Sequence, residues 1–273
     1  MAIYLSYLIL GAFAGLCAGL LGIGGGIIVV PILSLLLLAQ GFPPALLMHT
    51  AVGTSLAIMI FTALSSSYAY YRRDLIVWPL FYKFVPGLLF GTIMGSLIAR
   101  YLSSTHLQLA FAIFLLLIAL HLFFEKAYRP VSKEIISETV TVHYLKIIIA
   151  ASTIGILSGF FGIGGGSMMV PFFVYYHIEM HKATGTSALC GLPLAIVGTL
   201  TQIFTGWDLA ILHQVPSGTT GYIYWPAAIT VAITSVIFAP IGTRLAVWLP
   251  AKSLKRIFAM ILILTAISLF FKI

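Results

Sequence analysis

A pentapeptide of sequence Gly-Ile-Gly-Gly-Gly occurs twice in this chain, at residues 22–26 and 162–166, and each copy is followed by a Val-Pro pair. Four glycines in five positions break a helix, because glycine loses more backbone freedom on ordering than any other residue. The helices that restart after the breaks present unpaired amide groups and a partial positive charge, which attract an anion without a charged side chain. The predicted substrate-binding glycines are Gly22, Gly24, Gly25, Gly26, Gly162, Gly164, Gly165 and Gly166.

A second duplicated motif, His-x-Ala-x-Gly-Thr-Ser, lies at residues 49–55 and 181–187. Its hydroxyl groups can donate hydrogen bonds to an anion, or they can bond back to carbonyl groups of their own helix. The hydroxyl residues predicted to bind substrate are Thr54, Ser55, Thr186 and Ser187. His49 and His181 open the two motifs. Because a neutral imidazole takes up a proton near neutral pH, they are candidates for coupling proton movement to anion movement, and packing residues in the alternative interpretation.

Two further polar residues are candidates for the substrate pathway. Gln202 lies in an apolar segment, where it either faces the substrate or forms interhelical hydrogen bonds. Lys83 lies a few residues inside another segment, where it either attracts anions or extends its amine to the membrane surface. No acidic residue lies near the middle of a segment, which argues against an intramembrane carboxylate as a proton or sodium site.

The composition is that of a membrane protein. Of the 273 residues, 61% are hydrophobic and 7% are charged, whereas soluble domains carry about 25% charged residues. The net charge of +8 does not indicate nucleic-acid binding, because Lys and Arg occur singly or in pairs at the ends of apolar runs. Cys17 and Cys190 stand in separate apolar segments without metal-ligand spacing, so no metal or other cofactor is expected.

The chain divides into two similar halves. We predict an all-α polytopic membrane protein with a first repeat at 1–124, a cytoplasmic connector at 125–141 and a second repeat at 142–273. Each repeat has about five hydrophobic segments. These segments lie at 3–21, 26–39, 45–71, 77–101, 106–124, 142–161, 166–178, 183–206, 222–248 and 253–272.

Segments 26–39 and 166–178 are shorter than the roughly 20 residues that a full crossing usually needs. Each glycine break is therefore expected to join a long helix to a short one, as two crossings or as a re-entrant hairpin. Both alternatives give an odd number of crossings per half, so the second repeat is expected to be inverted relative to the first, as in many transporters.

The distribution of basic residues sets the expected orientation. Under the positive-inside rule, loops 72–76, 125–141 and 249–256 are cytoplasmic. Loops 39–45, 102–105 and 207–221, together with both termini, are then external. Glycines spaced by four residues, such as Gly11, Gly15 and Gly19, are expected to allow close helix packing instead of binding a ligand.

The two Gly-x-Gly-Gly-Gly…Val-Pro strings, each followed by His-x-Ala-x-Gly-Thr-Ser, resemble the sulfite exporter TauE/SafE family over nearly the whole chain. The resemblance implies a permease of bacterial cytoplasmic membranes for small sulfur-containing anions, such as sulfite or sulfoacetate, with no ATPase of its own. At the level of single residues, the resemblance implies a functional role only for the glycines of the two pentapeptides and for the two Gly-Thr-Ser strings. The halves differ at residues 190–193, Cys-Gly-Leu-Pro, which align with Ile-Met-Ile-Phe at 58–61, and this indicates unequal contributions to binding.

The expected function is a secondary transporter, acting as an exporter by alternating access, with a small-molecule anion as substrate and the lipid bilayer as partner. A passive anion channel is the first alternative. A membrane-embedded metal-dependent enzyme is the second, resting on His177, Glu179 and His181, and it requires one helix to continue through all three residues. A homo-oligomer remains open, and no nucleic-acid partner is expected.

Overall fold

The fold is a bundle of helices, seen in a computed structural model. The structure describes residues 2–22, 24–124, 144–207 and 216–248, with residues 260, 263, 266, 267 and 269. The predicted connector 125–141 lies outside the described residues, as do loop 249–256 and most of the predicted tenth segment.

The helices of the first half follow the predicted segments closely. They are α1 (Ala2–Leu21), α2 (Gly26–Ala39), a short 3₁₀ helix (Pro44–Leu46), α3 (Leu47–Tyr71), α4 (Trp78–Arg100) and α5 (Ser104–Phe124). The elements described in the second half are α6 (Tyr144–Phe161), α7 (Gly166–Tyr175), α8 (Met180–Gly206), strands β1 (Thr219–Thr220) and β2 (Ile223–Tyr224), and α9 (Trp225–Trp248). The predicted all-α polytopic fold is confirmed.

The two short strands explain where α9 begins. β1 and β2 pair antiparallel, with Thr219 opposite Tyr224 and Thr220 opposite Ile223. Because the pairing keeps Ile223 and Tyr224 extended, the helix starts at Trp225, a few residues later than the apolar pattern at 222 predicts.

Six of the described helices are long and apolar enough to cross a membrane: α1, α3, α4, α6, α8 and α9. Of these, α3 is the most enclosed, with 83% of its apolar span buried against 39–50% for the other five. Helix α3 is therefore central, and the others expose more of their apolar surface, as expected of helices that face lipid.

The predicted helix breaks are present. Helix α1 ends at Leu21 and α2 begins at Gly26, while α6 ends at Phe161 and α7 begins at Gly166. Gly25 and Gly165 precede α2 and α7 in the left-handed conformation, with φ of 79° and 64°. Residues with a side chain rarely adopt this conformation, so glycine at these two positions fixes where each short helix starts.

Helices from the two halves pack together along glycine seams. Helix α1 lies on α9, where a Cβ on Gly15 would be 2.5 Å from the carbonyl oxygen of Ser235. Helix α4 lies on α6, where a Cβ on Gly91 would be 2.1 Å from the carbonyl oxygen of Ser152. The expected use of spaced glycines for close packing is confirmed, and each half supplies one helix to each seam.

Candidate functional site

The two helix breaks meet inside the bundle. A Cβ on Gly24 would lie 3.4 Å from the Cα of Gly164, and a Cβ on Gly26 would lie 2.4 Å from the carbonyl oxygen of Gly162. We call residues 22–26 the first break and residues 162–166 the second break. Positions about 140 residues apart in sequence are therefore in van der Waals contact, and only glycine allows the backbones to approach this closely.

Both short helices begin at this meeting point with uncapped N-termini. Neither Gly25 nor Gly165 provides a side-chain cap. Within the described part of the chain, the amides of Gly26, Gly166 and Ser167 donate no hydrogen bond. Free amides at a helix N-terminus carry partial positive charge, so this arrangement suits a small anion.

The serines of the two Gly-Thr-Ser motifs form hydrogen bonds to the backbone of the breaks. Ser55 Oγ on α3 donates a hydrogen bond of 3.0 Å to the carbonyl oxygen of Gly162, and Ser187 Oγ on α8 donates one of 3.2 Å to that of Gly22. Each serine holds the break of the opposite repeat. This exchange of equivalent contacts is what a two-fold relation between the halves produces.

The threonines of the same motifs make a second exchanged pair of contacts. Thr54 Oγ1 accepts a hydrogen bond of 3.0 Å from the amide of Tyr224, and Thr186 Oγ1 accepts one of 2.9 Å from the amide of Val77. These amides lie immediately before α9 and α4. The four hydroxyls predicted to bind substrate are thus gathered around the breaks and the helix starts, where they bind the backbone.

The two histidines of the duplicated motifs occupy different surroundings. His49 is buried, with Nε2 3.1 Å from the carbonyl oxygen of Ala99 and its ring stacked on Tyr222 at a centroid distance of 5.1 Å. Its Nδ1 has no hydrogen-bond partner among the described residues. His181 has a side chain that is 39% exposed, and it lies 3.7 Å from a carboxylate oxygen of Glu179. The motif is duplicated, but the environment of its histidine is not.

The predicted pathway residues are separated. Gln202 is buried in α8, and its backbone carbonyl accepts a hydrogen bond from the amide of Tyr222. Lys83 lies one turn into α4 and is exposed. The structure therefore does not bring these two residues together at the breaks.

Sequence reasoning missed two serines near the second break, and it noted Met59 and Gly191 only as part of a difference between the halves. Ser158 and Ser167 flank the second break, and their buried hydroxyls have no hydrogen-bond partner in the described ranges. Met59 lies against the first break, and Gly191 lies near the second. The sequence does distinguish the two serines, because the aligned residues in the first repeat are Ala18 and Ile27, which have no hydroxyl group.

The residues of the metal-enzyme alternative do not lie on one helix. Helix α7 ends at Tyr175 and α8 begins at Met180, so His177 lies between them, with φ of 63°. The helical spacing that this alternative needs between His177 and His181 is absent. No group of three or more His, Cys, Asp or Glu residues in the described ranges could hold a metal ion.

Comparison with known proteins identifies relatives along the whole length. A model of the family described as "Sulfite exporter TauE/SafE" matches residues 7–269. A "Probable membrane transporter protein" of Haemophilus influenzae is 34% identical over 265 residues, covering 97% of each chain.

Two more distant relatives carry similar names. A "Probable membrane transporter protein" of Bacillus subtilis is 31% identical over 72% of this chain and 77% of its own length. A similarly named protein of Methanocaldococcus jannaschii is 27% identical over 93% of this chain and 91% of its own length. No solved structure matches the chain. The names of the family and of these relatives describe membrane transporters and not enzymes.

Proposed function

Because the chain belongs to the sulfite exporter TauE/SafE family of multi-pass membrane transporters, we propose that it is a secondary exporter of small sulfur-containing anions. Sulfite and organosulfonates are the substrates proposed. The anion binds where the two helix breaks meet, and the two repeats alternate between inward-open and outward-open arrangements around it.

The observation that carries this proposal is the contact between the breaks. Gly26 lies against Gly162 at the point where α2 begins, and α7 begins four residues after Gly162. The N-termini of α2 and α7 thus lie near each other inside an apolar bundle. An ion buried in a medium of low dielectric constant loses the favourable hydration it had in water, and free amide groups replace part of that hydration.

Neutral donors suit a carrier, because bound substrate must also leave. A buried Lys or Arg would form an ion pair with the anion, and breaking a buried ion pair is costly. Among the described residues, the basic side chains lie in loops or within two turns of a helix end, as with Arg72, Lys83 and Arg100. Amides and helix dipoles provide weaker attraction, which permits binding and release in one cycle.

The hydrogen bonds between the repeats are contacts that would break and re-form as the two repeats rock against each other. The bonds from Ser55 to Gly162 and from Ser187 to Gly22 are equivalent in the two halves. An inward-open and an outward-open state can then be related by exchanging the conformations of the two repeats. We place the protein in the bacterial cytoplasmic membrane, with both termini and loop 207–221 outside and loop 72–76 inside, as the positive-inside rule predicts.

Transport by the purified protein in liposomes tests the proposal. Vesicles are loaded with sulfite, and its appearance outside is followed with a colorimetric reagent for sulfite. We expect efflux that saturates with internal sulfite concentration and accumulation against a sulfite gradient when a pH gradient is imposed. Efflux no faster than from protein-free vesicles, for sulfite and for sulfoacetate, would overturn the proposal. Efflux that neither saturates nor runs uphill would instead establish a passive channel.

A further inference from the structure

We infer that the anion is held mainly by the second break, at a site formed by Ser158, Gly165, Gly166 and Ser167, while Met59 closes the equivalent position at the first break. We call these four residues the second-break site. The inference rests on the proposed function and names the donors that it requires. Three independent differences between the repeats favour the second break over the first.

Ser158 supplies the first difference. The residue is completely buried on α6, and its Oγ has no hydrogen-bond partner in the described part of the chain. The same Oγ lies 2.9 Å from the position of a Cβ on Gly165, the residue that precedes α7. A buried hydroxyl without a partner is unfavourable and rare, so the position of Ser158 Oγ beside Gly165 points to an acceptor near the start of α7. A bound anion is such an acceptor.

Ser167 supplies the second difference. It is the second residue of α7, and its Oγ is also buried without a partner among the described residues. Its amide likewise donates no hydrogen bond there, and the same holds for Gly166. The start of α7 therefore offers backbone and side-chain donors together. In the first repeat the aligned residues are Ala18 and Ile27, so the start of α2 lacks both hydroxyls.

Met59 and Gly191 supply the third difference, at aligned positions of α3 and α8. The sulfur of Met59 lies 2.6 Å from the position of a Cβ on Gly24, so its side chain covers the first break. Among the described residues, a Cβ on Gly191 would approach nothing closer than 3.8 Å, where it would meet Ala63 and the carbonyl oxygen of Gly164. The Met59 side chain therefore covers Gly24 of the first break, whereas Gly191 places no side chain at the second break. There, Met169 Cε lies 2.7 Å from the position of a Cβ on Gly165.

Equilibrium binding to purified protein tests the inference, with sulfite and sulfoacetate as probes and the tighter of the two used for the variants. We expect Ser158→Ala and Ser167→Ala each to weaken binding by about tenfold, the loss expected for one hydrogen bond to a charged ligand. Neither change should lower the melting temperature of the ligand-free protein, because each removes a buried hydroxyl that had no partner. Weaker binding without a lower melting temperature separates a ligand donor from a structural residue.

Thr199→Val is the matched control. Thr199 Oγ1 is a third buried hydroxyl without a partner in the described ranges, but it lies eight residues beyond Gly191 on α8, about 12 Å along the helix axis. Its removal should leave binding unchanged. Gly191→Met copies the first repeat and should abolish binding, whereas Gly191→Ala fits the available space and should preserve it.

The outcomes distinguish the inference from the proposed function. If the wild-type protein binds a probe, and both serine variants bind it within twofold of wild type, the second-break site is wrong while the transporter proposal stands. If Thr199→Val weakens binding as much as the serine variants do, the assignment to the second break is also wrong. If the wild-type protein binds neither probe, both proposals are overturned.

Discussion

Ser55 and Gly162 are joined by a hydrogen bond of 3.0 Å that links the middle of α3 to the second helix break, 107 residues away in sequence. Because Ser187 makes the equivalent bond to Gly22, each repeat fixes the break of the other. The position of either short helix therefore depends on both halves. The predictions that follow test these contacts and the site between them.

Removing either serine hydroxyl should loosen a break. In Ser55→Ala and Ser187→Ala, a buried glycine carbonyl loses its donor, which costs about 1–3 kcal/mol of stability. Thermal unfolding in detergent should show a lower melting temperature for both variants and slower sulfite efflux. Thr153→Val is the control, because Thr153 is exposed and, among the described residues, its hydroxyl bonds only within its own helix, to Ile149. An unchanged melting temperature in both serine variants would contradict the bonding described.

Adding one methyl group at Gly26 should push the breaks apart. Its Cβ would lie 2.4 Å from the carbonyl oxygen of Gly162 and 2.9 Å from the Cα of Ile163, and backbone atoms cannot move aside cheaply. We expect Gly26→Ala to cost about 1–3 kcal/mol, as overpacking does, and to reduce sulfite efflux by about tenfold or more. Gly191→Ala is the matched control, since its Cβ has 3.8 Å of clearance. Equal efflux from the two variants would show that the breaks tolerate separation.

The hydroxyl of Tyr70 should stabilise the end of α1. Tyr70 is fully buried on α3, and its Oη donates a hydrogen bond of 2.7 Å to the carbonyl oxygen of Gly19, just before the first break. Tyr70→Phe leaves that carbonyl without the donor and should cost about 1–3 kcal/mol. Tyr68→Phe should be neutral, because Tyr68 is 60% exposed. Thermal unfolding of both variants is the measurement, and comparable melting temperatures would count against this bond.

His49, and not His181, should couple sulfite export to protons. Protonating a buried imidazole is costly unless a negative charge is near, and His49 lies six residues before Ser55, about 9 Å along α3. Ser55 contacts the second break, and an anion there would stabilise the charged imidazole by about 2 kcal/mol if the two charges lay about 9 Å apart at an effective dielectric constant near 20. His181 is partly exposed beside Glu179, so it is not enclosed in the bundle with a buried anion.

The corresponding measurement is uphill sulfite movement in proteoliposomes with an imposed pH gradient. We expect His49→Gln to lose uphill accumulation while downhill efflux continues, and His181→Gln to keep both. The reverse pattern, or retention of uphill movement in both variants, would exclude His49 as the coupling residue.

Much of the architecture could be predicted from local signals in the sequence. Apolar runs gave the helices to within a few residues, and clustered glycines gave the breaks before Gly26 and Gly166, because both patterns act within a few residues of the chain. The long-range partners could not be predicted in this way. Nothing in residues 54–55 indicates that Ser55 bonds to Gly162 or that Thr54 accepts from Tyr224, since these contacts depend on how the halves pack.

The duplicated motifs do not show how the surroundings of their histidines differ. His49 is buried against Tyr222, whereas His181 is partly exposed. Environment is set by tertiary neighbours, which differ between the repeats. The inference about the second break rests on positions where the repeats differ in sequence, at Ser158, Ser167 and the pair Met59 and Gly191.

The glycine seam between α1 and α9 has a consequence for synthesis of the protein. Helix α1 leaves the ribosome about 200 residues before α9 exists, which at 5–20 residues per second means a wait of about ten seconds or more. During that interval the groove along Gly11, Gly15 and Gly19 is without its final partner. Insertion into the membrane and assembly of the bundle are therefore separate events in time. Until translation nears its end, α1 must remain in contact with lipid or with another helix in place of α9.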